Sequence, residues 1–191
     1  MELSGYKEIK NFEVGISNFC YGSTDISLTF DDKTITFDAT YVGEEPLCSL
    51  IISVYELDHY PVNVGEEKWD LEWQSEPGYF KIYMNRIIST GLLYLDIETD
   101  RIDGTYLDEV RKYSYVVPYQ MYKDSIIKCA LRALKTYGLT GFNENWLDGP
   151  DTFPLGALLN IMGYKANRVE DDFYSDIANE YEFLIQRMKE V

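Results

Sequence analysis

The chain has 191 residues, with 33 acidic side chains against 17 basic ones and a formal charge of −16. At 46% hydrophobic and 15% aromatic it carries the material for a core, which excludes a disordered acidic tail. A charge of this sign disfavours nucleic acid or an anionic bilayer as ligand, because phosphates are repelled.

The first residues, Met1 to Lys10, hold Glu2 and Glu8 and no apolar run of the signal-peptide kind. A weak alternation at Phe12, Val14 and Ile16 predicts a first strand. Ile26, Leu28 and Phe30 then alternate with Ser27 and Thr29, and after Asp31, Asp32 and Lys33 the pattern resumes at Ile35, Phe37 and Ala39, as in a hairpin. Leu47 to Leu57 is apolar on both alternating faces, which predicts a central strand covered on both sides. The run Leu47 to Tyr55 is less than half a membrane span, so no membrane partner is expected. Trp69, Leu71 and Trp73 oppose Asp70 and Glu72, and Ser75, Glu76, Pro77 and Gly78 supply a type II turn. Phe80, Ile82 and Met84 follow, opposed by Tyr79, Lys81 and Tyr83, and past Gly91 another strand offers Leu93, Leu95 and Ile97.

Beyond that point the period changes to 3.6. From Pro118 to Gly138 the residues Tyr119, Tyr122, Ile126, Ile127, Ala130, Leu131 and Leu134 share one helix face. A shorter helix is predicted from about Phe153 to Met162. Asn167 with Glu170 resembles a capping box opening a last helix, whose stripe is Phe173, Ile177, Tyr181, Leu184 and Met188. The expected fold is α+β: an antiparallel meander of about seven strands over residues 1–100, packed by about three C-terminal helices over 116–191. One domain spanning 1–191 is the simplest organisation, with Arg101 to Tyr115 as the hinge.

The charge is unevenly placed. Residues 1–110 hold 22 acids and 7 bases, whereas residues 111–191 hold 11 acids and 10 bases. Negative charge gathered on the strand-rich part serves solubility, or it forms a docking face on which a cationic partner relieves the self-repulsion. Tyrosine favours the docking face: there are 17 in the chain, and Tyr79 and Tyr83 lie opposite the core-facing side of their strand. If that side is open, their rings are free to act as rigid amphipathic anchors; if helices cover it, they are core. The candidate binding residues are therefore Tyr79, Tyr83 and Lys81, with Glu44 and Glu45 as rim charges.

Catalytic chemistry has weaker support. His59 is the only histidine, which excludes two-histidine metal sites. Asp96, Glu98 and Asp100 alternate along one strand face, so Asp96 and Glu98 with His59 are the residues to test if the protein is an enzyme. The same segment fails as a calcium loop, with Arg101 where glycine is needed and Leu107 where glutamate is needed. Cys20, Cys48 and Cys129 have no metal or disulfide spacing and are expected to be buried thiols. No phosphate-binding glycine loop or nucleophile elbow occurs, and no cofactor or metal is expected. The basic side of the Pro118 to Gly138 helix is the one place where an anion could dock.

The functional expectation is a non-enzymatic, cytoplasmic bacterial binding protein that engages a basic protein through an acidic, Tyr-rich surface. Toxin-neutralising immunity proteins behave this way as a class, although no family motif is present. The alternatives are a carboxylate-dependent hydrolase or transferase and a subunit of a homo-oligomeric assembly.

Overall fold

The computed structural model describes residues 5–20, 22–40, 45–60, 69–75, 78–145, 153–169 and 172–191, with backbone alone over 167–169 and 172–174. Within these residues the fold is α+β. Two sheets carry eight strands and four helices accompany them.

The alternating segments form strands as their periodicity predicts. β1 (Lys7–Glu8) precedes β2 (Phe12–Cys20), β3 (Ser23–Phe30) and β4 (Lys33–Thr40), and β2-β3-β4 is an antiparallel three-stranded sheet. Asp31, at φ 55°, makes the tight β3–β4 turn, a backbone state that aspartate tolerates. Further along come β5 (Trp69–Ser75), β6 (Gly78–Ile87), β7 (Leu92–Ile102) and β8 (Thr105–Pro118). They form a five-stranded sheet in the order β1-β8-β7-β6-β5, in which β1 lies parallel to β8 and every other pairing is antiparallel. The meander is therefore split between two sheets, and one of them is mixed. Arg101 to Tyr115 is no hinge, because it is the β7–β8 turn and most of a 14-residue strand. The Glu76–Pro77 turn lies outside the described residues.

Leu47 to Leu57 is the largest correction: it is helix α1 (Pro46–His59), not a strand. A continuous apolar run does not by itself distinguish the two. The flanks do: Pro46 occupies the first turn, where a missing N–H costs nothing, and the Glu45 side chain accepts the Cys48 amide at 2.7 Å. Leu47, Leu50, Ile51, Val54 and Leu57 then fall on the buried side, whereas Ile52 is exposed.

α2 (Tyr119–Asn145) matches the predicted long helix, broken at Gly138, whose φ of 67° with ψ of 176° is a combination that residues with a Cβ do not adopt cheaply. α3 (Leu155–Ile161) is the short helix. The capping-box start at Asn167 is overturned: β9 (Asn167–Val169) and β10 (Asp172–Tyr174) form a hairpin there. α4 (Ile177–Met188) begins ten residues later, with the Asp176 side chain accepting the Ala178 amide at 2.8 Å. Of the predicted stripe, Leu184 is buried, but Ile177 and Tyr181 are exposed.

The three-stranded sheet and helices α1 and α2 all lie on one side of the five-stranded sheet. Phe30 stacks on Tyr115 at 4.0 Å and Phe37 packs on Phe80 at 5.4 Å, which joins the two sheets. Trp73 stacks on Phe80 and donates its indole N–H to Ser49 of α1 at 2.8 Å. Tyr122 of α2 bonds Ser53 of α1 and sits on Phe12 of β2. α2 also completes the free edge of β2: the Val14 amide donates to Ser125 Oγ at 2.7 Å, and the Ile16 amide bonds the Cys129 sulfur. Ser125 and Cys129 are one helical turn apart, and Val14 and Ile16 are one strand repeat apart, so helix and strand keep step. Burial pushes the Cys129 thiol up to about 12. Cys48 is buried as well, but Cys20 is exposed, against expectation.

Candidate functional site

Among the described residues no helix covers the side of the five-stranded sheet turned away from this core. β6 sets the pattern: Phe80, Ile82 and Met84 are buried, and Tyr79, Lys81 and Tyr83 alternate with them on the open side. Antiparallel register then assembles a surface from four strands. Tyr83 stands opposite Asp70 of β5 and Asp96 of β7, and Asp96 stands opposite Ser114 of β8. In the next row Lys81 stands between Glu72 and Glu98, with Lys112 beyond. Asp96 and Glu98, read from sequence as catalytic candidates, and Tyr79, Tyr83 and Lys81, read as binding candidates, thus share one face.

The charges on it are locally organised. Lys81 Nζ lies 3.2 Å from Asp70 and 3.3 Å from Glu72, beside the Tyr83 ring. Those carboxylates raise the lysine above its ordinary range, so it remains a cation. Lys112 pairs with Glu98 at 2.6 Å and is raised for the same reason. Asp96 accepts the Tyr6 hydroxyl at 2.7 Å and the Ser114 hydroxyl at 2.8 Å. Burial, and then the bond to Asp96, push Tyr6 up to about 12. The Asp100 carboxylate takes the Tyr79 amide at 2.8 Å. Among the described residues Asp70, Glu72, Asp96, Glu98 and Asp100 stand against Lys81 and Lys112, so this part of the face is net acidic. A hollow of about 290 Å³ opens on it between Tyr83, Asp96, Glu98, Lys112 and Ser114.

The remaining candidates lie elsewhere. Glu45 is fully buried as the cap of α1 and is no rim charge, because its carboxylate is turned to the helix's own amides. Glu44 lies outside the described residues. His59 ends α1 on the core side of the sheet, with Nδ1 2.8 Å from the Tyr55 carbonyl oxygen, so it does not converge with Asp96 and Glu98. Among the described residues no group of three or more His, Cys, Asp or Glu is placed to hold a metal ion. No helix there is long and apolar enough to cross a membrane.

One cluster was not anticipated. Asp58, beside His59, pairs with Arg86 at 2.8 Å and Lys123 at 2.7 Å and accepts the Tyr119 hydroxyl at 2.9 Å. Burial opposes ionisation of Asp58, but Lys123, Tyr119 and Arg86 together outweigh it and hold the carboxyl below its usual range. Arg86 lies flat on the Tyr119 ring at 3.7 Å. The cluster ties the end of α1 to β6 and to the start of α2, a structural clasp that spans 65 positions of sequence.

On the open face, Asp70 and Glu72 were legible as the polar alternates of β5. Tyr6, Lys112 and Ser114 were not, because only the β7–β8 pairing and the β1 approach bring them in. Compared with known protein families, curated proteins and solved structures, the chain matches none.

Proposed function

We propose that the protein is a non-enzymatic binding protein that holds a basic protein partner against the open face of the five-stranded sheet, in the manner of immunity proteins as a class. The observation that carries this reading is that tyrosines and an excess of carboxylates occupy a sheet face that no helix covers among the described residues. Tyr79 and Tyr83 offer rigid contact area at small entropic loss, and Asp70, Glu72, Asp96 and Glu98 steer a cationic surface toward them. The existing pairs to Lys81 and Lys112 keep the isolated face tolerable and exchange for partner cations on contact. Cytoplasmic action beside such a partner follows from the same reading.

The test is a pull-down from the native host with three baits: the unaltered protein, Tyr83→Ala, and Asp70→Lys with Glu72→Lys. One basic protein enriched by the first bait and lost from the other two is the expected result. A captured set that is identical for all three baits overturns the reading, and recovery of the bait alone points to a homo-oligomer.

A further inference from the structure

Each of the two larger sheets has two edges, and three of the four are blunted. α2 bonds the amides of Val14 and Ile16 on β2. On β4 the Thr36 carbonyl accepts the Asp103 amide at 3.0 Å. β8 is met by β1 at Tyr115 and Val116, and its pairing with β7 is irregular between Thr99 and Arg101, both of which discourage a further strand. β5 has neither device: its seven residues pair with β6 in unbroken register and include no proline. Ser75 pairs with Gly78 across a link of two residues, which makes that pair, and every second pair after it, the ones that exchange backbone bonds. The backbone amides of Asp70, Glu72 and Gln74 therefore face away from β6. The Thr40 hydroxyl, which donates to the Gln74 carbonyl at 3.5 Å, agrees with that phase. Among the described residues nothing bonds the outward backbone groups of Asp70 and Glu72.

We infer that this edge takes an extended segment of the basic partner as an added antiparallel strand, with Lys or Arg at every second position. The inference rests on the reading of the open face as a docking surface for a basic protein and adds how that protein is held. Asp70 and Glu72, which carry the outward amides, also carry carboxylates that are 49% and 44% exposed on the open face, and the two share the single cation of Lys81. A strand laid beside β5 continues its pleat, so the residue opposite each acid lies on the acid's own face and exchanges backbone bonds with it. Opposite charges at those positions attract. The alternate residues of the added strand fall on the other face, beside buried Leu71 and Trp73 and half-buried Trp69, and are apolar. The segment thus alternates basic with apolar. Backbone bonds give it affinity and the alternate side chains give it specificity. A second copy of β5 is the wrong occupant, because its acids would meet acids.

Isothermal titration of the full chain with an octapeptide of alternating Lys and Val tests this. Methylating the backbone nitrogen of every lysine removes the donors that face β5, whereas methylating that of every valine removes donors that face solvent and keeps the same charge and length. The lysine-methylated peptide should bind at least about tenfold more weakly than its parent, and the valine-methylated one within about twofold of it. On binding, exchange of the Asp70 and Glu72 amide protons should slow by about tenfold or more, while that of Leu71, already bonded to β6, stays as it was. Asp70→Asn with Glu72→Gln should weaken the parent peptide by about tenfold, with an unchanged melting temperature as the sign of an intact fold. Equal binding of the two methylated peptides overturns strand addition, as does failure of the parent peptide to saturate by roughly 1 mM. Neither result touches the pull-down: a basic protein lost from the Tyr83→Ala bait would still place a partner on the open face, whereas identical captured sets remove the reading on which the added strand rests.

Discussion

The two faces of the five-stranded sheet are made from neighbouring residues of the same strands and obey different physics. On β6, Phe80, Ile82 and Met84 are sealed between the second sheet and two helices, and Tyr79, Lys81 and Tyr83 are half-buried on the other face one residue away. On the inner face shape decides, because a lost ring leaves a cavity. On the outer face charge dominates, with Lys81 paired to Asp70 and Glu72 and Lys112 to Glu98. If the outer face is the docking surface proposed above, stability and recognition are separable by a single step along the chain.

The strongest test of this division is Trp73→Ala. The ring is fully buried, stacks on Phe80 and donates to Ser49, so its loss should lower stability by about 3 to 5 kcal/mol, read by chemical denaturation. A loss below about 1 kcal/mol would mean that the inner face is not the packed one.

Asp58→Asn comes next, because it breaks the clasp on the inner side and leaves Arg86 and Lys123 without their shared carboxylate. A loss of about 2 kcal/mol at neutral pH is expected. The folded-state pKa of Asp58 is depressed, so its contribution is present above the unfolded carboxylate range and disappears as pH falls through the folded value. The variant should therefore lose less stability than the parent between about pH 5 and pH 2. An acid limb of unchanged slope would remove the clasp from the account.

Tyr83→Ala sharpens the contrast from the other side. In the isolated protein it should cost less than about 1 kcal/mol, whereas in complex with a captured partner it should cost about 2 kcal/mol or more, mostly through dissociation rate. A large drop in the melting temperature of the isolated protein would place that ring in the core.

The smallest effect belongs to Glu72→Lys, an exposed position on β5. Stability should move by no more than about 0.5 kcal/mol, while association with a basic partner slows and loses part of its salt dependence. Association at an unchanged rate would argue against steering by this face.

The hairpins were readable from sequence because their side-chain period is two and only one face is apolar: Ile26, Leu28, Phe30, Ile35 and Phe37 are all buried as their alternation requires. α1 was not, since a run that is apolar on both alternating faces satisfies a covered strand and a buried helix equally; Pro46 and the carboxylate before it were the overlooked signals. The Asn167 segment failed for the opposite reason, a local capping pattern overridden by the pairing of β9 with β10. Tyr79, Lys81 and Tyr83 were placed on one side of β6 by period alone. Their union with Asp96 and Glu98 depends on strand register, and Glu45 shows that an acid just before a helix need not be a surface residue.

The way α2 closes the edge of β2 has a consequence in time. Val14 and Ser125 are 111 positions apart, so at ordinary synthesis rates β2 leaves the ribosome on the order of ten seconds before the helix that satisfies its amides. Through that interval the nascent three-stranded sheet presents a raw edge, competent to pair with any extended chain nearby. The finished molecule has no such vulnerability at Val14 and Ile16, which makes the growing chain, and not the folded protein, the form most in need of a chaperone.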